Sequence, residues 1–376
     1  MNHPAIQTMK IRLERFIHGR RLLLLAIFGA LTLLLACYPS TEVSYSNPQE
    51  LAAAQWLIEF KTGEERVHLQ MRFQRKRERD DSYGYSNTGF MIAPAKLTGL
   101  TREQAMSSGT NVKFQLQRDA GTFYFEGWFK EGNGSGHFTF SPNPSFAAEL
   151  GRLNIGSPTA QQQLRMALND VGFALINELK AQGYEQPTLE QLVRLGDHGV
   201  HLEYVQGLKS LGYSVKYIDF LIKMRDHGVT VDFIRELASH NYTGLTAEEL
   251  IRTRDHGVTG EYISEFRSAG YTQQTLDDWI TLRDHGVNME YVRELDSLGY
   301  SRLPVDELRR MRDHGVNPDF VRALKEAGYD KIPVQQLIRL RDHGVDAKFI
   351  QRMKDRGYKD LSLDEYVRLR DRGDYE

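Results

Sequence analysis

The sequence predicts an α+β protein, with an N-terminal antiparallel β-meander domain followed by an α-solenoid of 29-residue helix-turn-helix repeats. Two observations carry this reading. The tetrapeptide Asp-His-Gly-Val occurs six times, beginning at Asp197, Asp226, Asp255, Asp284, Asp313 and Asp342, always 29 residues apart. A fixed period of this size marks stacked copies of one small unit. Upstream, residues 54–146 alternate apolar and polar side chains with a period of two, the pattern of strands with one buried and one wet face.

The N-terminus reads as an export signal over residues 1–36. Lys10, Arg12, Arg15, Arg20 and Arg21 form a basic region ahead of the apolar run Leu22 to Ala36. That run has 15 residues, short of the roughly 20 that span a bilayer as a helix. It ends in Leu34-Leu35-Ala36-Cys37, which resembles the lipobox of bacterial lipoproteins. The resemblance implies lipidation at Cys37, the only cysteine of the chain. Tyr38 follows, where the inner-membrane retention rule of such proteins expects aspartate. The expected location is therefore the cell envelope, facing the periplasm, at the outer membrane rather than the inner. An uncleaved anchor is the alternative. Residues 37–53 read as a lipidated tether, rich in Ser, Pro, Asn and Thr.

A single cysteine allows no intramolecular disulfide. Without residues 1–36 the chain holds 43 basic and 49 acidic residues, a net charge of −6. No strongly basic stretch follows Arg79, which argues against a nucleic-acid partner.

Within 54–146, Trp56 to Phe60 and the alternating run Val67, Leu69, Met71 and Phe73 predict a hairpin. Val112, Phe114 and Leu116 predict a strand that turns at Asp119-Ala120-Gly121 into Thr122 to Lys130. The run Gly132-Asn133-Gly134-Ser135-Gly136 reads as a second turn, leading into His137 to Phe140. The expected meander has about five strands. Thr101 and Gln104 fit a capping box for a short helix. Phe123, Tyr124, Phe125, Trp128 and Phe129 make one strand aromatic on both faces. Both faces are expected to be covered, an apolar ligand groove being the alternative. Arg75 to Asp81 reads as a solvated loop. Residues 147–167 read as a connector.

Within the copy Asp313 to Arg341, Asn317 is the first N-cap, with Pro318 at the first helical position. Phe320, Leu324 and Ala327 share one face, and Gly328 supplies a left-handed stop. Val334, Leu337, Ile338 and Leu340 form the second helix, which Gly344 ends. Other copies keep the devices with different letters. Thr230, Thr259 and Asp346 take the first cap, Thr246 with Glu249 and Ser362 with Glu365 form capping boxes, and Asn241 replaces a stop glycine. Residues 168–196 read as a worn copy capping the array, 197–370 as six repeats, and 371–376 as a polar tail in which Arg372 replaces His.

His198, His227, His256, His285, His314 and His343 would form a ladder. Metal binding is the functional reading. Helices stacked about 8–10 Å apart set the rungs too far apart for one zinc site, whose ligands lie about 2 Å from the metal. The expected role is structural, each His serving free carbonyls at a helix end and each Asp capping or pairing with Arg or His of an adjacent copy. His201 and His240 fall outside the pattern and read as surface residues. The chain holds no zinc-protease helix, no nucleophile elbow, no phosphate loop and no Cys-x-x-Cys. Glu126 and His137 could meet across strands, as random strand pairs do. No cofactor, no metal and no catalytic residue is expected.

The Asp-His-Gly-Val…Tyr/Phe-Val…Leu…Gly-Tyr repeats resemble segments on the C-terminal side of some bacterial BlaR/MecR-type antibiotic-sensing metalloproteases. Gly-Thr-Phe-Tyr-Phe-Glu-Gly at Gly121 to Gly127 is similar to the β module that accompanies them. The resemblance spans roughly residues 54–370 and implies an exported sensing or interaction module. In those proteins a membrane-embedded protease precedes this region. This sequence shows one short apolar segment and no zinc motif, so protease activity does not carry over. The expected function is a lipid-anchored, non-catalytic interaction or sensing scaffold with a protein or peptide partner. An envelope hydrolase or ligand-sensing regulator, with its site at the junction of sheet and solenoid, is the alternative.

Overall fold

The structure is a computed structural model and describes residues 54–61, 63, 65–76, 83–213 and 215–373. The leader, Cys37, the tether and most of the loop Arg75 to Asp81 lie outside the described residues. Among the described residues, no helix is long and apolar enough to cross a membrane.

Among the described residues, seven antiparallel strands come first. They are β1 (Gln55–Glu59), β2 (Val67–Lys76), β3 (Tyr83–Ile92), β4 (Leu97–Thr98), β5 (Thr110–Arg118), β6 (Gly121–Lys130) and β7 (Asn133–Pro142). Their order is β3-β2-β1-β7-β6-β5-β4. The β1–β2 hairpin is present, with Trp56 opposite Met71. The sheet exceeds the expected five strands by β3 and β4. It is also two sequential runs, welded where β1 pairs with β7.

The sheet is rolled. Laid flat, its edge strands would stand about 29 Å apart at roughly 4.8 Å per step. Yet β3 ends at Ile92 and β4 begins at Leu97, a link that reaches at most about 18 Å. Arg118 on β5 accordingly lies 5.8 Å from the Phe90 ring on β3. The inward face is filled by Trp56, Met71, Phe73, Phe114, Phe123, Phe125, Phe129 and Phe138, all buried.

Room for Trp56 comes from glycine. Gly127 and Gly136 face each other across β6 and β7, and Gly136 also pairs with Trp56. The indole lies over this pair and donates its N–H to the carbonyls of Glu126 (3.2 Å) and His137 (3.1 Å). Gly134 does the same for the Phe129 ring. The run Gly132 to Gly136 is thus mostly strand, not the expected turn. The turn is Glu131-Gly132, with φ of 50° and 85°, the two-residue hairpin geometry with both central residues left-handed.

Seventeen α-helices are described. Helix α1 (Arg102–Ala105) carries the Thr101–Gln104 capping box. Helix α2 (Pro144–Arg152) lies where the end of the sheet and a connector were expected, although Asn143 and Pro144 give the same start signal as Asn317 and Pro318; Phe146 and Leu150 bury it. The array follows as two layers. One holds α3 (Ala160–Leu168), α5 (Leu189–Asp197), α7 (Ile218–Asp226), α9 (Ala247–Asp255), α11 (Leu276–Asp284), α13 (Val305–Asp313), α15 (Val334–Asp342) and α17 (Leu363–Arg372). The other holds α4 (Phe173–Ala181), α6 (Leu202–Ser210), α8 (Val231–Ser239), α10 (Gly260–Ser268), α12 (Met289–Ser297), α14 (Pro318–Glu326) and α16 (Ala347–Asp355). Most helices stack on the next of their own layer, the arrangement of a solenoid.

The expected stops and caps are in place. Asn317, Thr230, Thr259 and Asp346 each accept a backbone N–H three residues on. Thr246 with Glu249 and Ser362 with Glu365 form full capping boxes. Gly328 and Asn241 end their helices at φ of 96° and 66°.

Sheet and array meet at the β5–β6 turn. Asp119 accepts the first free N–H of α4, from Phe173 (2.7 Å), and Arg118 pairs with Asp170. Helix α3 packs on β6 and β7.

Candidate functional site

The array is the candidate site, and its repeated residues bind one repeat to the next. Each ladder histidine is the C-cap residue of its helix. Its Nδ1 meets the aspartate of the following copy. The pairs are His198–Asp226 (2.5 Å), His227–Asp255 (2.8 Å), His256–Asp284 (2.7 Å), His285–Asp313 (2.5 Å), His314–Asp342 (2.8 Å) and His343–Asp371 (2.7 Å). The expected pairing of Asp with a neighbouring copy therefore holds. The expected service to free carbonyls does not fall to the histidine.

In two copies that service falls to an arginine the sequence reading passed over, the residue before the Asp. Arg225 Nε donates to the Gly199 carbonyl (3.1 Å) and Arg312 Nε to that of Gly286 (3.0 Å), each in the preceding copy. The guanidinium also lies over an aromatic ring of the preceding repeat, an arrangement that favours a cation. The pairs are Arg225–Tyr204, Arg254–Phe233, Arg283–Tyr262, Arg312–Tyr291, Arg341–Phe320 and Arg370–Phe349. Where the ring is tyrosine, its hydroxyl donates to the valine carbonyl of the next copy: Tyr204 to Val229 (3.0 Å), Tyr262 to Val287 (2.7 Å) and Tyr291 to Val316 (2.8 Å).

The ends of the ladder explain the worn copies. Asn169 stands in the histidine column and donates to Asp197 (3.3 Å), beside Arg165, while Asp170 takes the left-handed turn at φ 53°. Leu175 replaces the ring there, and Gly196 replaces the arginine that would stack on it. At the far end Asp371 meets His343, and Arg372 stands in the histidine column.

His256→Ala should therefore cost only about 0.5–1 kcal/mol, since the pair is half exposed and a typical net hydrogen bond contributes about that much. Removing His198 and His343 together should cost the sum of the two single changes, because distant sites add. Thermal melts of the singles and the double check both. Excess loss in the double would mean that rungs couple along the whole array.

The buried tyrosines set an alkaline limit. Burial raises the phenol pKa of Tyr204 and Tyr262 well above the usual 10, and that of Tyr271 and Tyr291 to about 12. The unfolded chain releases these protons first. Their contribution is thus complete below pH 10 and is lost as pH climbs from about 10 through 12. A pH titration should show tyrosinate absorbance lagging behind that of free tyrosine, then rising together with loss of helical circular dichroism. Simple, independent ionisation near pH 10 would contradict this.

On the sheet, Glu126 and His137 sit directly opposite each other but look elsewhere. Glu126 pairs with Lys113 (2.7 Å) and His137 Nδ1 lies 3.3 Å from the Ala54 carbonyl. The aromatic strand corrects an expectation. Phe123, Phe125 and Phe129 are buried, whereas Tyr124 and Trp128 are 46% and 45% exposed. Because the sheet rolls, its own inner residues fill the inward face and the outward face stays open. His201 is exposed and takes the Asn169 carbonyl at 3.1 Å; His240 is half-buried.

Among the described residues, no three His, Cys, Asp or Glu side chains are grouped so as to hold a metal ion. The rungs of the ladder stay separate. No protein-family model matches the chain, and no curated protein matches it.

Proposed function

We propose that this is a lipid-anchored envelope protein whose helical array acts as a non-catalytic scaffold for protein interaction or sensing. The observation that carries the reading is where the repeated residues go. The histidines, aspartates, arginines and aromatic rings of the signature are spent on repeat-to-repeat bonds, and they do not converge on one centre. What remains outward is a long surface of Glu, Asp, Arg and Lys, the kind of extended face solenoids use for polar, salt-sensitive contacts. The resemblance of the repeats to exported modules of BlaR/MecR-type proteins supports the same reading.

The test is in vivo crosslinking of the lipidated protein in a bacterial envelope, followed by pull-down at rising salt. A partner retained by the array and shed as salt rises is expected. Absence of any stoichiometric partner would overturn the scaffold reading. Lipid anchoring is tested separately. Cys37→Ser should move the protein from the membrane to the soluble periplasmic fraction and remove the acyl mass. Unchanged membrane retention would favour an uncleaved anchor.

A second reading, an envelope hydrolase or ligand-sensing regulator, draws on the junction. There Arg118 is largely buried between sheet and array, with Asp119, Asp170 and Glu203 about it, and burial lowers its pKa to about 10. This reading requires saturable binding of a small ligand that Arg118→Gln abolishes, which a thermal-shift screen would reveal.

A further inference from the structure

The seven copies run in phase, so an outlying residue stands out in its column. In the second-helix layer one core column reads Leu192, Leu221, Leu250, Trp279, Leu308, Leu337 and Tyr366. A second reads Leu195, Met224, Thr253, Leu282, Met311, Leu340 and Leu369. A third reads Leu189, Ile218, Ala247, Leu276, Val305, Val334 and Leu363. Trp279, Thr253 and Ala247 all depart at a single step, between α9 and α11. There a large ring on one helix coincides with reduced side chains on the other.

The packing responds at the same place. Helices α9 and α11 approach closely at fewer points than any other neighbours in their layer. A cavity of 470 Å³ opens between them, within the size range of ligand sites. Tyr242 in its lining is tied to Trp279: the hydroxyl accepts the indole N–H (2.6 Å) and donates to the Gln274 carbonyl (2.6 Å).

The lining sets the chemistry. Leu276 and Ile280 supply an apolar wall. Glu249 and Asp277 bring two carboxylates to the lining and Arg252 one guanidinium; Asp277 holds Arg252 at 2.6 Å, while one oxygen of Glu249 accepts from Thr246 at the helix start. The excess of one negative charge favours a cation. The dipole of α11 is already matched by Asp277 and Asp278 in its first turn, so it makes no call for an anion. A long aliphatic stem ending in a positive charge satisfies both wall and rim, as lysine and arginine side chains do.

We infer that the cavity between α9 and α11 is the anchoring point for a lysine or arginine side chain of the protein partner. The inference rests on the scaffold reading and names where that scaffold grips. The probe is a fluorescein-labelled octapeptide of alternating lysine and serine, titrated against the full chain in a non-ionic detergent and followed by fluorescence anisotropy. Saturable binding is expected. Leu276→Trp, which fills the cavity, and Asp277→Asn, which removes its excess charge, should each weaken it at least fivefold. Asp306→Asn, on α13 outside the cavity, should leave it unchanged. Circular dichroism verifies that each variant is folded, and Asp277→Asn decides if Leu276→Trp is not.

No binding to the unaltered chain would overturn the inference. So would equal binding by all variants, which would mean diffuse surface attraction, or equal binding of a glutamate–serine octapeptide. Partner capture that survives Leu276→Trp and Asp277→Asn would sink the cavity as the anchoring point and leave the scaffold reading standing. Loss of capture by the unaltered chain would sink the scaffold itself.

Discussion

Gly136→Ala is expected to unfold or severely destabilise the rolled sheet, by about 3 kcal/mol or more, the upper part of the usual range for overpacking a core. A Cβ at this position would lie 2.0 Å from the Glu126 carbonyl oxygen, 2.6 Å from the Gly127 Cα and 2.8 Å from the Trp56 Nε1. Two of the three obstacles are backbone atoms of the paired strand, so a rotamer change cannot clear them. Relief would require β6 and β7 to separate, at the cost of ladder bonds and of both hydrogen bonds from the Trp56 indole. Trp56→Phe in the same background should therefore recover little, because the carbonyl obstruction remains. Gly151→Ala supplies the contrast. Nothing but the Ser157 hydroxyl lies near its Cβ, at 4.0 Å. There the change should stabilise by roughly 0.5–1 kcal/mol through the lower entropy of the unfolded chain. Thermal and urea melts of the three proteins decide the matter. A Gly136→Ala protein melting like the parent would mean that β7 is not seated beside Trp56 as described.

The caps and stops of the array could be read in the sequence because each is settled within three or four residues. Asn317 and Pro318 declare a helix start on their own, and Gly328 declares its end. The 29-residue period was equally visible. The bonds between copies were half visible: the period offered His and Asp as partners, but the arginine before each Asp carried no local signal of its own. Only the step of 21 residues from ring to arginine, and the joint loss of both at Leu175 and Gly196, could have exposed it. The sheet was harder. Strand β3 turns Gly84, Ser86 and Thr88 inward along with Phe90 and Ile92, so its alternation is weak. The β1–β7 pairing joins residues some eighty positions apart, and its clue is a shape match, glycines opposite a tryptophan. A run of glycines resembles a turn until the ring that needs the space is known.

Trp279→Ala should be the most damaging single truncation in the array, with a cost of about 3–5 kcal/mol. The ring is fully buried. It packs edge-on against Phe266 (5.6 Å) and Tyr262 (6.2 Å), which sit on α10 in the other layer. Its loss would also leave the Tyr242 hydroxyl without its donor. Trp279→Leu restores the residue of most other copies and should cost less. It leaves the Phe266 ring, which replaces the leucine of most other copies, without its edge-on partner. The location of the damage is as informative as its size. A solenoid is held by nearest-neighbour interfaces, so a weakened unit loosens itself and its neighbours before distant ones. Hydrogen exchange in Trp279→Ala should therefore rise across residues 246–297 and change little across strands β5 to β7. A uniform rise over sheet and array would mean that the chain unfolds as one cooperative body. In that case the rung-by-rung account of its stability would have to be given up.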